Sequence, residues 1–86
     1  MQSKIEMTLD EQTDFSRGFD RGNYGNAYES QDFGTWYDAN EIGYQSAYYT
    51  EGAILGFFSS YELNEISDEI AREDVMHLRV KHGKEI

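Results

Sequence analysis

The clearest hydrophobic pattern in this chain lies in its second half. Small or apolar residues recur there at alternating spacings of four and three positions, which is typical of a helix seam rather than of a strand. Asp38 and Glu41 form a capping-box pair in front of this pattern, so we predict a long helix that begins there. The seam consists of Gly43, Ala47, Thr50, Ile54, Phe57 and Tyr61.

The other sides of this predicted helix are also apolar or small. Tyr44, Tyr48 and Leu55 form a second stripe, and Gly52 and Gly56 lie on a third side. A small chain cannot easily bury every side of such a helix by itself. The seam is therefore our candidate interface for a homodimer or for another protein.

The first half of the chain predicts a second long helix. Thr8 and Glu11 have the spacing of a capping box, which predicts a helix over residues 9–28. Its spacing of one aromatic residue and two glycines recurs in the seam helix, so we predict that the two helices cross closely at their glycines. The matching positions are Phe15, Gly18 and Gly22 in the first helix, and Tyr49, Gly52 and Gly56 in the second.

Polar and apolar residues alternate at both ends of the chain. Residues 4–9 alternate in this way, and so do residues 76–81, which predicts two short strands that pair. Residues 30–37 are interpreted as a loop or short strand, and a short helix is expected to begin at Ser67, whose side chain would cap it. The predicted fold is therefore a mostly helical α+β domain spanning residues 1–86, with two long helices, one short helix and short terminal strands.

The charge of the chain is strongly negative and unevenly distributed. The net charge is −10, and residues 22–71 contain no Lys or Arg. Folded proteins usually mix the two signs because like charges destabilise a compact state. We therefore predict an acidic partner-binding surface formed by Glu29, Asp32, Asp38, Glu41, Glu51, Glu62, Glu65, Asp68 and Glu69.

Candidate catalytic and cofactor sites are weak. The chain has no cysteine, no nucleophile elbow and no phosphate-loop or dinucleotide fingerprint. Asp74 and His77 have the spacing of two metal ligands on one helix turn, which is a weak pattern on its own. We predict no catalytic residue, no cofactor and no metal, although a small carboxylate enzyme or ligand binder remains a third alternative.

The choice of partner follows from the same charge. Direct nucleic-acid binding is disfavoured because it needs Lys and Arg to neutralise phosphates. The longest apolar run, residues 53–58, is too short for a membrane span, and no apolar signal-peptide core follows Met1. We therefore expect a cytoplasmic protein that binds neither nucleic acid nor membrane.

An acidic surface with aromatic anchors suits a protein that has a basic nucleic-acid-binding cleft. The predicted function is non-catalytic inhibition of such a protein by resembling DNA in charge, as in phage or mobile-element counter-defence of the anti-CRISPR or antirestriction type. The alternative is a small dimeric adaptor or regulatory subunit that uses the seam. The candidate aromatic anchors are Trp36, Tyr37, Tyr44 and Tyr48.

One short segment resembles a known family. The residues Gly34-Thr-Trp36-Tyr-Asp38-Ala39 look like the Gly-x-Trp-x-Asp-Ala segment of ArdA-type antirestriction proteins, which mimic DNA. The resemblance covers six of the 86 residues. The family's preceding Tyr-Asn-x-Gly is not reproduced, because Tyr28 is followed by Glu29. No residue role is carried over from it.

Overall fold

The computed structural model describes residues 6–29 and 32–83, and all of the regular structure in these ranges is helical. The α+β prediction is therefore wrong, since the described residues form no strand. Two short 3-10 turns, Ile42–Tyr44 and Leu63–Glu65, lie in the connections. The four helices are α1 (Leu9–Tyr28), α2 (Phe33–Ala39), α3 (Ala47–Phe57) and α4 (Glu69–Lys81).

The predicted C-terminal strand is part of α4. Ala71 and Val75 are buried and Leu78 is half-buried, which is the spacing of one helix face. The alternation over residues 76–81 does not form a strand. Met76 and Val80, two of its apolar positions, lie on the exposed side of α4. The N-terminal strand prediction falls partly on residues outside the described ranges, and residues 6–8 precede α1 without forming a strand.

The end signals of α4 explain its extent. Asp68 caps the helix, since its carboxylate accepts hydrogen bonds from the backbone N–H groups of Ile70 and Ala71. Arg79 and Lys81 lie in the last turn, where cations interact favourably with the helix dipole. The expected cap at Ser67 is therefore displaced by one residue.

The predicted seam helix is interrupted. Asp38 lies near the end of α2 rather than at a helix start, and Glu41 adopts a left-handed conformation with φ 55°. A new helix, α3, begins after Ser46, whose hydroxyl accepts a hydrogen bond from the Tyr49 N–H. Residues 33–37, predicted as loop or strand, belong to α2 and follow the N-cap Asp32.

The crossing of α1 and α3 confirms the prediction from the glycine spacing. A Cβ atom at Gly18 would lie 2.0 Å from the carbonyl oxygen of Tyr49, and one at Gly52 would lie 2.2 Å from that of Phe15. Gly22 and Gly56 face backbone atoms of the opposite helix in the same way. Only glycine permits this approach, so the four positions bring the two helix backbones into direct contact.

The remaining elements cover this helix pair and complete the core. Trp36 from α2, Leu55 from α3 and Val75 from α4 are almost completely inaccessible to solvent. Ile42, from the 3-10 turn after α2, is buried beside them. None of the helices in the described ranges combines the length and the hydrophobicity needed to cross a bilayer.

Candidate functional site

The cationic side chains of the described ranges mostly bind their own chain. Arg79 donates hydrogen bonds to the carbonyl oxygens of Phe58 and Tyr61, just beyond the end of α3. Arg72 donates to the Ile66 carbonyl and lies 3.9 Å from Glu69. These hydrogen bonds hold Arg72 and Arg79 against backbone carbonyls of their own chain.

Arg21 neutralises Glu29, the first residue of the predicted acidic surface. Its guanidinium donates to the Glu29 carboxylate at 2.7 Å and to Asn40 Oδ1 at 2.8 Å. The indole N–H of Trp36 donates to the same carboxylate at 2.9 Å. The hydrogen bonds from Arg21 and Trp36 hold the pKa of Glu29 below its usual value. Glu29 is therefore a structural contact between α1 and α2.

Glu51 is likewise neutralised. Lys81 Nζ lies 2.7 Å from one carboxylate oxygen, and His82 Nε2 lies 2.9 Å from the other. The His82 side chain is only 5% exposed and packs against the ring of Phe15. This cluster ties the end of α4 to α3 and α1, which removes Glu51 from the acidic surface.

Seven of the nine predicted acids remain exposed to solvent. Asp32 also caps α2, where hydrogen bonds from the Thr35 hydroxyl and N–H lower the pKa of its carboxyl group. Glu69 has one distant cation, Arg72. The exposed members of the set are Asp32, Asp38, Glu41, Glu62, Glu65, Asp68 and Glu69.

Two of these acids meet at a groove between α2 and α4. The groove has a volume of about 290 Å³. Its lining includes apolar side chains from three helices and the carboxylates of Asp38, Asp68 and Asp74. In the sequence, Asp74 is a candidate only for a weak metal-ligand pair with His77. Asp74 follows Ile70 by four residues, and this spacing indicates that both lie on the same side of α4 and can line the groove together.

The charges at the groove are only partly compensated. Asp68 accepts two backbone hydrogen bonds at the N-terminus of α4, whereas the carboxylates of Asp38 and Asp74 have no hydrogen-bond or cationic partner among residues 6–29 and 32–83. Burial raises the pKa of the neighbouring Tyr37 hydroxyl, and Asp74 and Asp38 raise it further. The field at the groove is therefore negative.

The four candidate aromatic anchors have different environments. Trp36 is fully buried, which corrects its assignment as a binding residue. Tyr37 is half-buried and packs against Phe33, while Tyr48 is half-buried with Lys81 Nζ 5.5 Å from its ring centre. Tyr44 alone has a largely free side chain, at 87% exposure.

One exposed aromatic pair is not among the predicted anchors. Tyr24 and Tyr28 lie on one side of α1 with their ring centres 4.9 Å apart, and both are more than half exposed. Their spacing of four residues in a predicted helix was the available signal.

The predicted dimer seam is partly internal, since two of its six positions are buried, two are half-buried and two are exposed. Ile54 and Phe57 are buried in the chain's own core, and the Thr50 hydroxyl donates to the Ile42 carbonyl. Gly43 lies against the ring of Tyr37, and Tyr61 accepts a hydrogen bond from Asn26. Ala47 is exposed at the start of α3. Because Ile54 and Phe57 are buried, the six positions do not form one continuous apolar surface.

Two remaining observations concern metal binding and similarity to known proteins. No group of three or more His, Asp or Glu side chains within the described part of the chain is arranged to hold a metal ion. A comparison with protein-family models, curated proteins and solved structures finds no match.

Proposed function

We propose that this protein is a non-catalytic inhibitor that binds a nucleic-acid-binding protein through its exposed acids. The observation that supports it is the excess of exposed acids over exposed cationic side chains among the described residues. Arg21, Arg79 and Lys81 bind groups of their own chain, while most acids between residues 32 and 69 are exposed. A surface of this kind attracts a basic cleft and steers association with it.

The proposed inhibition is competitive. The carboxylates would occupy part of the surface that a nucleic-acid backbone occupies, so the partner could not bind both at once. A phage or mobile-element protein of the anti-CRISPR or antirestriction type, acting in the cytoplasm, would have such a role. Glu29 and Glu51 are omitted from this surface because their charges are neutralised internally.

The test is displacement of nucleic acid by the intact protein. Proteins captured from a host lysate at low salt would be purified and loaded with labelled DNA or RNA, and the release of that label would be measured. We expect the release of the label to fall steeply between roughly 50 and 300 mM NaCl, because salt screens contacts between exposed charges. Captured proteins that retain their nucleic acid in the presence of saturating inhibitor would contradict the proposal.

Charge reversal provides the matched control. E41K/E62K changes two exposed acids of the proposed surface, and D10K/D20K makes the same change in net charge on α1. We expect only E41K/E62K to prevent displacement, with the helical circular dichroism of both variants unchanged. Equal losses in the two variants would show that net charge, rather than this surface, determines binding.

A further inference from the structure

The groove between α2 and α4 combines an apolar lining with exposed carboxylates. Its lining contains the apolar side chains of Phe33, Ile54 and Ala71, and its acids are Asp38, Asp68 and Asp74. A volume of about 290 Å³ is near the lower end of the range for small-ligand pockets, roughly 300–1,000 Å³. The space therefore suits one long side chain rather than a folded element.

The chemistry of the lining specifies the charge of an occupant. Asp38 comes from α2 and Asp74 from α4, so the two carboxylates approach the groove from different helices. Neither has a cationic partner within residues 6–29 and 32–83. Two such groups beside an apolar surface leave an uncompensated negative field, which a cation would neutralise.

The aromatic residues of the groove favour one type of cation. Phe33 and Tyr37 are neighbours, with ring centres 5.5 Å apart, and both line the groove. A guanidinium group can stack on an aromatic face and donate in its own plane to carboxylates, whereas an ammonium group is a compact and strongly hydrated charge.

We propose that this groove binds an arginine side chain from an exposed segment of the partner, with Asp38 and Asp74 as its acceptors. The inference rests on the proposed function, because the arginine belongs to the partner's basic cleft. Ile70, which is 76% exposed at the edge of the groove, provides contact for an aliphatic residue beside that arginine.

The test uses three short peptides and the isotopically labelled intact protein. The probes are acetyl-Leu-Arg-Leu-amide and the same peptide with Lys or Gln in the central position. The measurement is NMR spectroscopy of the backbone amides. We expect the arginine peptide to shift the signals of residues 33–38 and 70–74 in a saturable manner, and the glutamine peptide to shift none of them. Largest shifts outside these two ranges, or equal affinity for the lysine peptide, would overturn the proposal.

Two nearly isosteric variants separate the groove from the bulk charge. D38N/D74N should lower the affinity for the arginine peptide by about tenfold or more, since it removes both charged acceptors. D20N/E73Q changes the net charge equally at exposed acids outside this groove and should leave the affinity within about twofold. Equal weakening in both variants would overturn the groove as the site.

The outcome is distinguishable from that of the proposed function. Arginine-peptide binding at the groove without displacement of nucleic acid would support the groove and reject the decoy role. Displacement that survives in D38N/D74N would reject the groove and leave the decoy role intact.

Discussion

At the scale of single residues, four glycines determine how closely α1 and α3 approach. The contacts at Gly18, Gly22, Gly52 and Gly56 are with backbone atoms, which cannot rotate away as a side chain can. Each glycine weakens its helix by about 1 kcal/mol relative to alanine. This cost is offset because the close crossing buries the backbones of α1 and α3 against each other.

We predict opposite effects for two glycine-to-alanine substitutions. Gly18→Ala should lower the free energy of unfolding by about 2 kcal/mol or more, because its Cβ would overlap the Tyr49 carbonyl. Gly34→Ala, in α2, would place its Cβ 3.5 Å from Asp32 Oδ2 and should be neutral or stabilising by up to about 1 kcal/mol. Urea unfolding followed by circular dichroism measures both. Equal effects would contradict the close crossing.

A second residue-scale prediction concerns acid sensitivity. Arg21 and Trp36 keep the pKa of Glu29 below its usual 4.5, so the unfolded chain binds this proton more tightly than the folded chain does. The stabilisation from Glu29 is therefore fully present above about pH 4.5 and is lost as the pH falls through the lower folded value. Glu29→Gln should lower the Tm at pH 7, and the difference from the unmodified protein should shrink toward pH 3.

Asp20→Asn is the matched control for this measurement. Asp20 is exposed on α1, and its carboxylate has no hydrogen bond or ion pair in the part of the chain that the structure describes. Its replacement should change the Tm little at either pH. A Glu29→Gln effect that is equally large at pH 7 and pH 3 would show that the lost contact does not depend on the carboxylate charge.

At the scale of whole elements, the extent of α4 depends on which residue caps it. Asp68→Ala should destabilise the protein by about 1 kcal/mol, because it removes an acceptor for two backbone N–H groups. Ser67→Ala should have an effect below about 0.5 kcal/mol. The two variants would be compared by thermal unfolding, and a larger loss at Ser67 would contradict the observed cap.

Local signals predicted some elements well. The Thr8 and Glu11 capping box and the helix over residues 9–28 are confirmed, as is the crossing at the glycines. These features were readable because each depends on residues close in sequence or on an exact spacing. The cap at Ser46 was overlooked because the apolar seam appeared to continue through it, although Glu41 turns the chain before that point.

The candidate site could be predicted only in part. The sequence identified an excess of acids, but it did not show that Arg21 and Lys81 would neutralise Glu29 and Glu51. Lys81 and Glu51 are 30 residues apart, so their contact depends on how α4 packs on α3, whereas Arg21 and Glu29 are 8 residues apart at the end of α1. The groove depends on the same packing, since its lining comes from α2, α3 and α4.

At the scale of the whole molecule, the unpaired carboxylates lie close enough together to repel one another at low salt. The molecule measures 34 × 27 × 18 Å, and at an ionic strength near 0.01 M the screening length is about 30 Å. Repulsion among the unpaired acids therefore acts across most of the fold at low salt. At about 0.15 M the screening length falls to roughly 8 Å, and only near neighbours continue to repel one another.

We expect the groove acids to lower the stability of the free protein. Asp38 and Asp74 line the same groove without a cation, and Asp38 also lies in the last turn of α2, where a negative charge opposes the helix dipole. D38N/D74N should therefore raise the Tm at 10 mM NaCl by several degrees, and by more than D20N/E73Q, which removes the same net charge elsewhere. Differential scanning calorimetry at 10 and 300 mM NaCl measures both.

Salt should reduce the difference in Tm between these variants, because screening weakens the same repulsion that the substitutions remove. The unmodified protein should gain the most stability between 10 and 300 mM NaCl, and D38N/D74N should gain the least. Equal Tm values for the two double variants at 10 mM NaCl would mean that Asp38 and Asp74 repel no more than any other exposed pair. A higher Tm for D38N/D74N than for D20N/E73Q at 10 mM NaCl instead indicates that the free protein is destabilised by the same two charges that a cationic partner would neutralise on binding.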